Sequence, residues 1–555
     1  MNAPLPDPFY YLANFQRVLA WLGERYADLL GEAEREFIDA FAELPQASRA
    51  LLVRMLMRKG ELFRASKLAY AEIGCPHQAA EPLLGHGWLD DAPALSLEQL
   101  FGVLRKAEIA AAFGDCLQRA HLMNKSELLT CLRERFADES RPLQAWHAEA
   151  DECVYRVLMV ELGERLRLMF FGNLRQGWSE FVLADLGIYR YEKVEFSAAS
   201  RAFRSREDID DYLRLQRCRE RFEQGEALAE VVASLPQRLE NPWIEARRGK
   251  LIFRIAQQHE RLGELQQALQ VYADCRHAGA RARRIRVLER SERIHEALQL
   301  ATQATEQPES EAERQQLFRV LPRLRRRAGL PASPRRQPLA LQRLDLHLAL
   351  PQVPSSVEFV VRDHLTQPDA PVHYVENTLI GSLFGLLCWP ALFAALPGAF
   401  FHPFHAAPAD LLDADFVRRR QALFDGCLGL LESDAYRQRI RETFVAKFGL
   451  QSPFVAWGLL DETLLDQALQ CIPADHLKRC FERILLDIGA NRSGLPDLIQ
   501  FWPAERRYRM IEVKGPGDRL QDNQIRWLDY CLAHGLPVAV CHVQWQEDRS
   551  GEQIP

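Results

Sequence analysis

The sequence predicts a multidomain chain, mostly α-helical over its N-terminal two-thirds and α/β at its C-terminal end. Three observations predict it. At 555 residues the chain is too long for one hydrophobic core, so three or four domains are expected. Residues 8–340 carry the three-to-four spacing of amphipathic helices almost throughout. Residues 497–513, DLIQFWPAERRYRMIEV, instead set two apolar strand-like runs around a polar turn.

The helical part opens with YYLANFQRVLAWLGERYADLL, in which Leu12, Phe15, Leu19, Leu22, Tyr26 and Leu29 recur on one helix face. Between residues 54 and 67, Arg54, Arg58, Lys59, Arg64 and Lys67 oppose a single acid, Glu61. Arg54, Arg58 and Lys59 fall on one face of a continued helix, with Leu51, Leu52, Met55 and Leu56 supplying apolar contacts. Residues 1–94 are read as an N-terminal helical DNA-binding domain, with Arg54, Arg58, Lys59 and Lys67 as its candidate phosphate contacts. The competing reading is a solvated face.

Residues 95–140 hold two helix starts. Ser96 with Gln99, and Asn124 with Glu127, each place a capping side chain three positions before an amide or carboxyl. The region resembles a SAP module, a helix–loop–helix that docks on duplex DNA, and equally a plain helical hairpin.

Residues 141–340 form the next domain. There WIEARRGKLIFRIAQQHERLGELQQALQVYADC sets Ala256, Leu262-Gly263, Ala268-Leu269 and Tyr272 where a tetratricopeptide helix pair packs. A degenerate second unit ends in IHEALQLATQA. Seven arginines lie between Arg276 and Arg293 against Glu289 and Glu292, and six more between Arg323 and Arg336 with no acid among them. Taken with the first basic stretch they point toward a phosphate backbone. GLPASPRRQP, residues 329–338, is the expected linker into a C-terminal domain spanning 341–555.

From Asn377 to Ala409 there is no Asp, Glu, Lys or Arg, which imitates a membrane span. Pro390 and Pro397 break the run, leaving a buried helix of about 18 Å over Thr378–Trp389 at 1.5 Å per residue. No membrane association is expected. The twelve cysteines form no CxxC pair and no zinc-finger cluster, and the N-terminus lacks the regions of a signal peptide. A reducing cytoplasm is the expected setting.

The hairpin is the informative element. A turn centred between Ala504 and Glu505 pairs Ile499 with Met510, Leu498 with Ile511, and Asp497 with Glu512. Glu512 and Lys514 then project to the same face as Asp497. Opposed carboxylates repel at about 5 Å between Cβ atoms, and a hard divalent cation such as Mg²⁺ or Mn²⁺ compensates. The chain has nine lysines against 61 arginines, so a lysine at 514 reads as chosen for more than its charge. An exposed hairpin edge with three ordinary charges is the alternative.

These residues also carry a resemblance. Pro496-Asp497, then Glu512-Val513-Lys514, is the PD-(D/E)xK nuclease signature. GLPDL, EVKGPGDRLQDNQIRWL and PVAVCHV are similar to the VRR-NUC domain. RKGELFRASKLAYAEI, FFGNLRQGWSEFVLADLGIYRYE and VENTLIGSLFGLLCW resemble the Fanconi-anaemia-associated nuclease in a bacterial form. The fold class that follows is a SAP-like and tetratricopeptide-like helical region plus an α/β nuclease domain. The resemblance implies that Glu376, Asp497 and Glu512 bind metal with the Val513 carbonyl. It implies that Lys514 orients the nucleophile and Gln524 supports it. Spacing alone does not tie Glu376 to Asp497, 121 residues away. A first-turn carboxylate favoured by the helix dipole is the other reading of Glu376.

The implied activity is 5′-flap endonuclease with 5′-to-3′ exonuclease action in crosslink repair, by a nucleoid-associated monomer acting on branched DNA. A four-way-junction resolvase or an inactive DNA-binding scaffold are the alternatives. Animal relatives carry a ubiquitin-binding zinc finger for which no Cys/His set exists here.

Overall fold

In the computed structural model the opening helical spacing becomes α1 (Tyr10–Arg25), and Leu12, Phe15, Leu19, Leu22, Tyr26 and Leu29 are all buried. The structure describes residues 7–114, 123–136, 139–178, 189–331 and 341–546. It divides into one unit of Met1–Tyr189 with Arg201–Ile209, and a second of Arg190–Ser200 with Asp210–Pro555. The linker residues 332–338 and the stretch 179–188 of the FFGNLRQ segment lie outside the described residues.

In the first unit, α2 (Glu32–Glu43) and α3 (Gln46–Leu56) follow α1. A small antiparallel sheet of β1 (Leu62–Arg64), β2 (Leu89–Asp90) and β3 (Val154–Val157), with β3 in the middle, closes the region. Both expected helix starts are present. Ser96 and Gln99 bond reciprocally at the head of α4 (Leu97–Val103), and Asn124 and Glu127 do so at α5 (Lys125–Phe136).

The basic stretch departs from its expected geometry. The helix ends at Leu56, because Gly60 at φ +91 reverses the chain and Leu62–Arg64 join the sheet. Arg58 and Lys59 therefore lie in an exposed turn and not on a helix face. Arg54 is held between the rings of Tyr11 and Tyr70, 3.9 and 4.6 Å from their centroids, and pairs with Glu72 at 2.5 Å. It fastens α1 to α3 and the following loop. Arg58 Nη1 donates to the Lys67 carbonyl at 3.2 Å, while Lys59 and Lys67 are exposed.

In the second unit, α6 (Pro242–Leu262), α7 (Leu265–Ala273), α8 (Ala280–Arg290), α9 (Ile294–Glu306) and α10 (Glu311–Arg327) stack in sequence. Ala256, Ala268, Leu269 and Tyr272 are buried as the repeat predicts, and Ala297, Ala301 and Ala304 do the same in the second pair. Leu262 is exposed instead, since Gly263 at φ +80 ends the helix beside it.

Many of the described cluster arginines stay exposed yet pair with carboxylates. Glu260, 5 % exposed, is shared by Arg283, Arg286 and Arg290, while Arg281 pairs with Glu313 and Arg293 with Glu296. Arg323 pairs with Glu289, and Arg327 with Glu292. All of these pairs except Arg293–Glu296, which lies at the head of one helix, link neighbouring helices.

The C-terminal sheet contains β4 (Gln342–Ala349), β5 (Val372–Tyr374), β6 (Leu498–Trp502), β7 (Arg507–Lys514) and β8 (Val538–Gln546) in the order β4-β8-β7-β6-β5. β4 and β7 run parallel to β8, whereas β5–β6 and β6–β7 are antiparallel. The uncharged run forms α11 (Leu379–Leu387), every residue of it buried. It is shorter than the expected Thr378–Trp389, because Thr378 is its N-cap and Pro390 opens a separate turn, Trp389–Leu392. Among the described residues no helix is long and apolar enough to cross a membrane.

Candidate active site

β7 is the central strand of five, so both its edges are paired, and from Met510 to Lys514 it is buried on both faces, charged residues included. Glu512 is 0 % and Lys514 7 % exposed. The hairpin register is the expected one: Leu498 faces Ile511 and Ile499 faces Met510. Arg506, at φ +51, completes the turn after Pro503–Glu505. Asp497 stands one residue before β6, 6 % exposed, in line with Glu512. Its carbonyl accepts from Val375 N–H and its Oδ2 from Val513 N–H, each at 2.8 Å.

Lys514 Nζ lies 2.8 Å from Glu512 Oε1, while the buried Glu512 Oε2 has no hydrogen-bond partner among the described residues. Burial, with some help from the charge of Glu376, pushes the Asp497 carboxyl up to about 6 against the pull of Val513 N–H and Lys514. Burial and then the Asp497 charge push Glu512 up to about 7, with Lys514 opposing. Two carboxylates that resist ionising together are poised to take up a proton or a cation.

Glu376 is exposed, two residues ahead of the N-cap Thr378, in the turn that joins β5 to α11. That position is outside the helix, so it is not a first-turn carboxylate. Its charge acts on both Asp497 and Glu512 although 121 residues separate it from Asp497 in sequence. Its oxygens are held elsewhere, by Tyr374 O–H at 2.5 Å and Asn377 Nδ2 at 3.3 Å. Among the described residues no three His, Cys, Asp or Glu side chains converge as a finished metal-ligand set. Val513, between Glu512 and Lys514, pairs with Cys541 of β8. Gln524 is three residues into α12 (Asp522–Ala533), where its Oε1 accepts from Gln521 N–H at 2.8 Å in a capping box. The basic residues Arg54, Arg58, Lys59 and Lys67 belong to the other unit.

Three neighbours of the site had no sequence signal. Tyr374 and Asn377 hold Glu376, and the charge of Glu358, in the first turn of the helix Val357–Leu365, also acts on Asp497. Only the side-chain identity of Asn377, an asparagine ahead of a helix, offered a hint of its left-handed backbone.

A buried Asp and Glu opposed across a hairpin, with Lys two residues on and a parallel strand alongside, define a PD-(D/E)xK nuclease domain. The VRR-NUC domain model matches residues 431–545, and the models for the FAN1 HTH domain and the Fanconi anemia-associated nuclease SAP domain match 9–90 and 94–146. The chain belongs to the Fanconi-associated nuclease 1 family. It is 60 % identical over 550 residues to the Pseudomonas aeruginosa homolog, covering 99 % of this chain and 98 % of that one. An Oryza sativa homolog is 24 % identical over 623 residues, with 98 % of this chain and 63 % of that one covered. The crystal structure of paFAN1 bound to 2-nt 5′-flap DNA with a gap superposes with a TM-score of 0.94 at 60 % identity, over 98 % of this chain and 100 % of that one.

Nucleases of this domain type generally depend on a divalent metal, and the donor set here fits one. The orphaned Oε2 of Glu512 and the mutual repulsion with Asp497 are the features a hard cation relieves.

Proposed function

We propose that this chain is a divalent-metal-dependent DNA phosphodiesterase that cuts near 5′ flaps and degrades DNA 5′ to 3′ in interstrand-crosslink repair. The observation that carries the reading is Glu512: fully buried, one oxygen unpartnered, across from a second carboxylate and beside a lysine. Asp497, Glu512, Glu376 and the Val513 carbonyl would hold Mg²⁺ or Mn²⁺. Bound there, the metal supplies Lewis acidity to the scissile phosphate and acidifies a water. Lys514, fixed by β7, orients that water by donating to it and offsets the charge that develops at the phosphate. Glu376 joins by exchanging the Tyr374 hydroxyl for the site. Gln524, on the first turn of α12, supports the nucleophile.

The flap preference is supported by the paFAN1 complexes, two of which contain 5′-flap DNA. The helical regions 1–94, 95–140 and 141–340 serve to grip duplex arms, with Arg58, Lys59 and Lys67 among the phosphate contacts, and the working form is a monomer in the bacterial cytoplasm. Cleavage of labelled flap, nicked, four-way-junction and single-stranded substrates in Mg²⁺, Mn²⁺ or chelator tests this. The flap is expected to be cut fastest, with no product in chelator. Preferred junction cutting by a dimer seen in light scattering would replace the reading with a resolvase.

A further inference from the structure

Asn377 adopts φ +53, a conformation that side chains other than asparagine and aspartate seldom take. Such backbone persists only where the surroundings enforce it. The usual reason for an asparagine at a helix start, capping the first turn, does not apply. Thr378 is the N-cap residue, and the Asn377 side chain bonds across the sequence instead. Its Oδ1 accepts two backbone N–H groups, Gly494 at 2.7 Å and Leu495 at 3.1 Å. Its Nδ2 donates to Glu376 Oε1 at 3.3 Å.

Gly494 and Leu495 open the GLPD loop that delivers Asp497. The loop is gripped from the other side as well. Gly494 sits at φ +92, and a Cβ there would stand 2.8 Å from the backbone of Asn523 in α12. Trp527 Nε1, further along α12, donates to the Asn491 carbonyl at 3.1 Å. A single amide thus touches the Glu376 carboxylate and pins the loop carrying Asp497, with the helix that bears Gln524 as backstop.

We infer that Asn377 is a positioning residue that fixes the spacing between Glu376 and Asp497, and through it the affinity of the site for metal. The inference rests on the metal-site reading above. Hydrogen-bonding partners behind metal ligands typically govern 10- to 100-fold in affinity. Asn377→Gly keeps the left-handed backbone and removes both halves of the clamp, so about tenfold or greater weakening of Mn²⁺ binding is expected. Asn377→Asp tolerates the same backbone and keeps the acceptor for Gly494 and Leu495, but it loses the donor to Glu376 and sets a like charge beside it, so Mn²⁺ binding between that of the parent and that of Asn377→Gly is expected.

The test is calorimetric titration of Mn²⁺ into the full chain without DNA, alongside metal-free melting and the variants Glu376→Gln and Asp497→Ala. The expected result is weakened Mn²⁺ binding in Asn377→Gly, with melting within a few degrees of the parent, and a smaller weakening in Asn377→Asp. Unchanged binding in Asn377→Gly beside weakened binding in Glu376→Gln overturns the clamp and leaves the metal site standing. Unchanged binding in all of them, Asp497→Ala included, removes the metal site and the clamp together. Should the glycine variant fail to fold, binding in Asn377→Asp equal to the parent's, beside weakened binding in Glu376→Gln, overturns the inference.

Discussion

Replacing Asp497 by asparagine should abolish cleavage and yet make the metal-free protein more stable. In the absence of metal the folded chain buries Asp497, which, with some help from the charges of Glu376 and Glu358, moves its carboxyl from an ordinary 3.8 to about 6. At 1.36 kcal/mol per factor of ten, ionising it in the fold costs about 3 kcal/mol relative to the unfolded chain. Because the folded value is raised, the cost is absent below the unfolded value near pH 4, grows as pH rises, and is complete above pH 6–7. An asparagine Oδ1 still accepts from Val513 N–H, and its amide can donate toward Glu512, whose own carboxyl is also relieved. Allowing for burying the amide, a gain of about 1–3 kcal/mol at pH 8 is expected. For a domain of this size, at about 2–4 °C per kcal/mol, that corresponds to roughly 2–12 °C in melting temperature. Calorimetric melting in chelator at pH 8 and pH 5 measures it, and the advantage should shrink by about half at pH 5. A variant no more stable than its parent at pH 8, or an advantage that ignores pH, refutes the argument that burying an ionised Asp497 is costly.

Asp497→Ala, Glu512→Ala and Lys514→Ala should each remove cleavage while flap binding in chelator, read by fluorescence anisotropy, stays close to normal. Glu376→Gln keeps the shape and should raise the Mn²⁺ needed for half-maximal cleavage; an unmoved titration curve would detach Glu376 from the site. Arg58→Glu with Lys59→Glu should weaken flap binding and flatten its dependence on salt, since fewer counterions are released; an unaltered slope removes the turn from the DNA surface. Arg54→Ala should behave differently, losing about 1–3 kcal/mol of stability because it leaves Glu72 and two stacked rings without their partner. Chemical denaturation followed by circular dichroism distinguishes the two effects.

Periodicity carried the helices and the hairpin register because both are local: α1's buried stripe and the Ile499–Met510 pairing follow from spacing and turn length alone. The basic stretch failed for an equally physical reason. A helical wheel assumes that the helix continues, and one glycine at φ +91 ended it. The arginine clusters have acidic partners that charge counted along the sequence does not show. Glu260 lies outside the Arg276–Arg293 run yet neutralises part of it from a neighbouring helix. Glu376 was reached by resemblance, since no local rule spans 121 residues. What spans them is a backbone bond from Val375 to Asp497 and the side chain of Asn377.

The site also explains why its neighbourhood is so heavily fastened. A fold that buries two repelling carboxylates, one in its central strand and one just before the neighbouring strand, is strained there unless the charge is relieved, and must resist relaxing by pushing one of them out. β7 is flanked by strands on both sides, the Asp497 loop is tied to Val375, Val513 and Asn377, and Gly494 has no room to move toward α12. The Lys514 ammonium offsets part of the charge without filling the second oxygen of Glu512. Exposed Glu376 is the exception, parked on a phenol that an ionic competitor can displace. Rigid acids within and one movable acid at the edge is an arrangement that lets metal enter without loosening the core. It places the freedom of the site on the Glu376 side chain, within a turn that Val375 and Asn377 hold fixed, so substitutions there should change metal uptake before they change the fold.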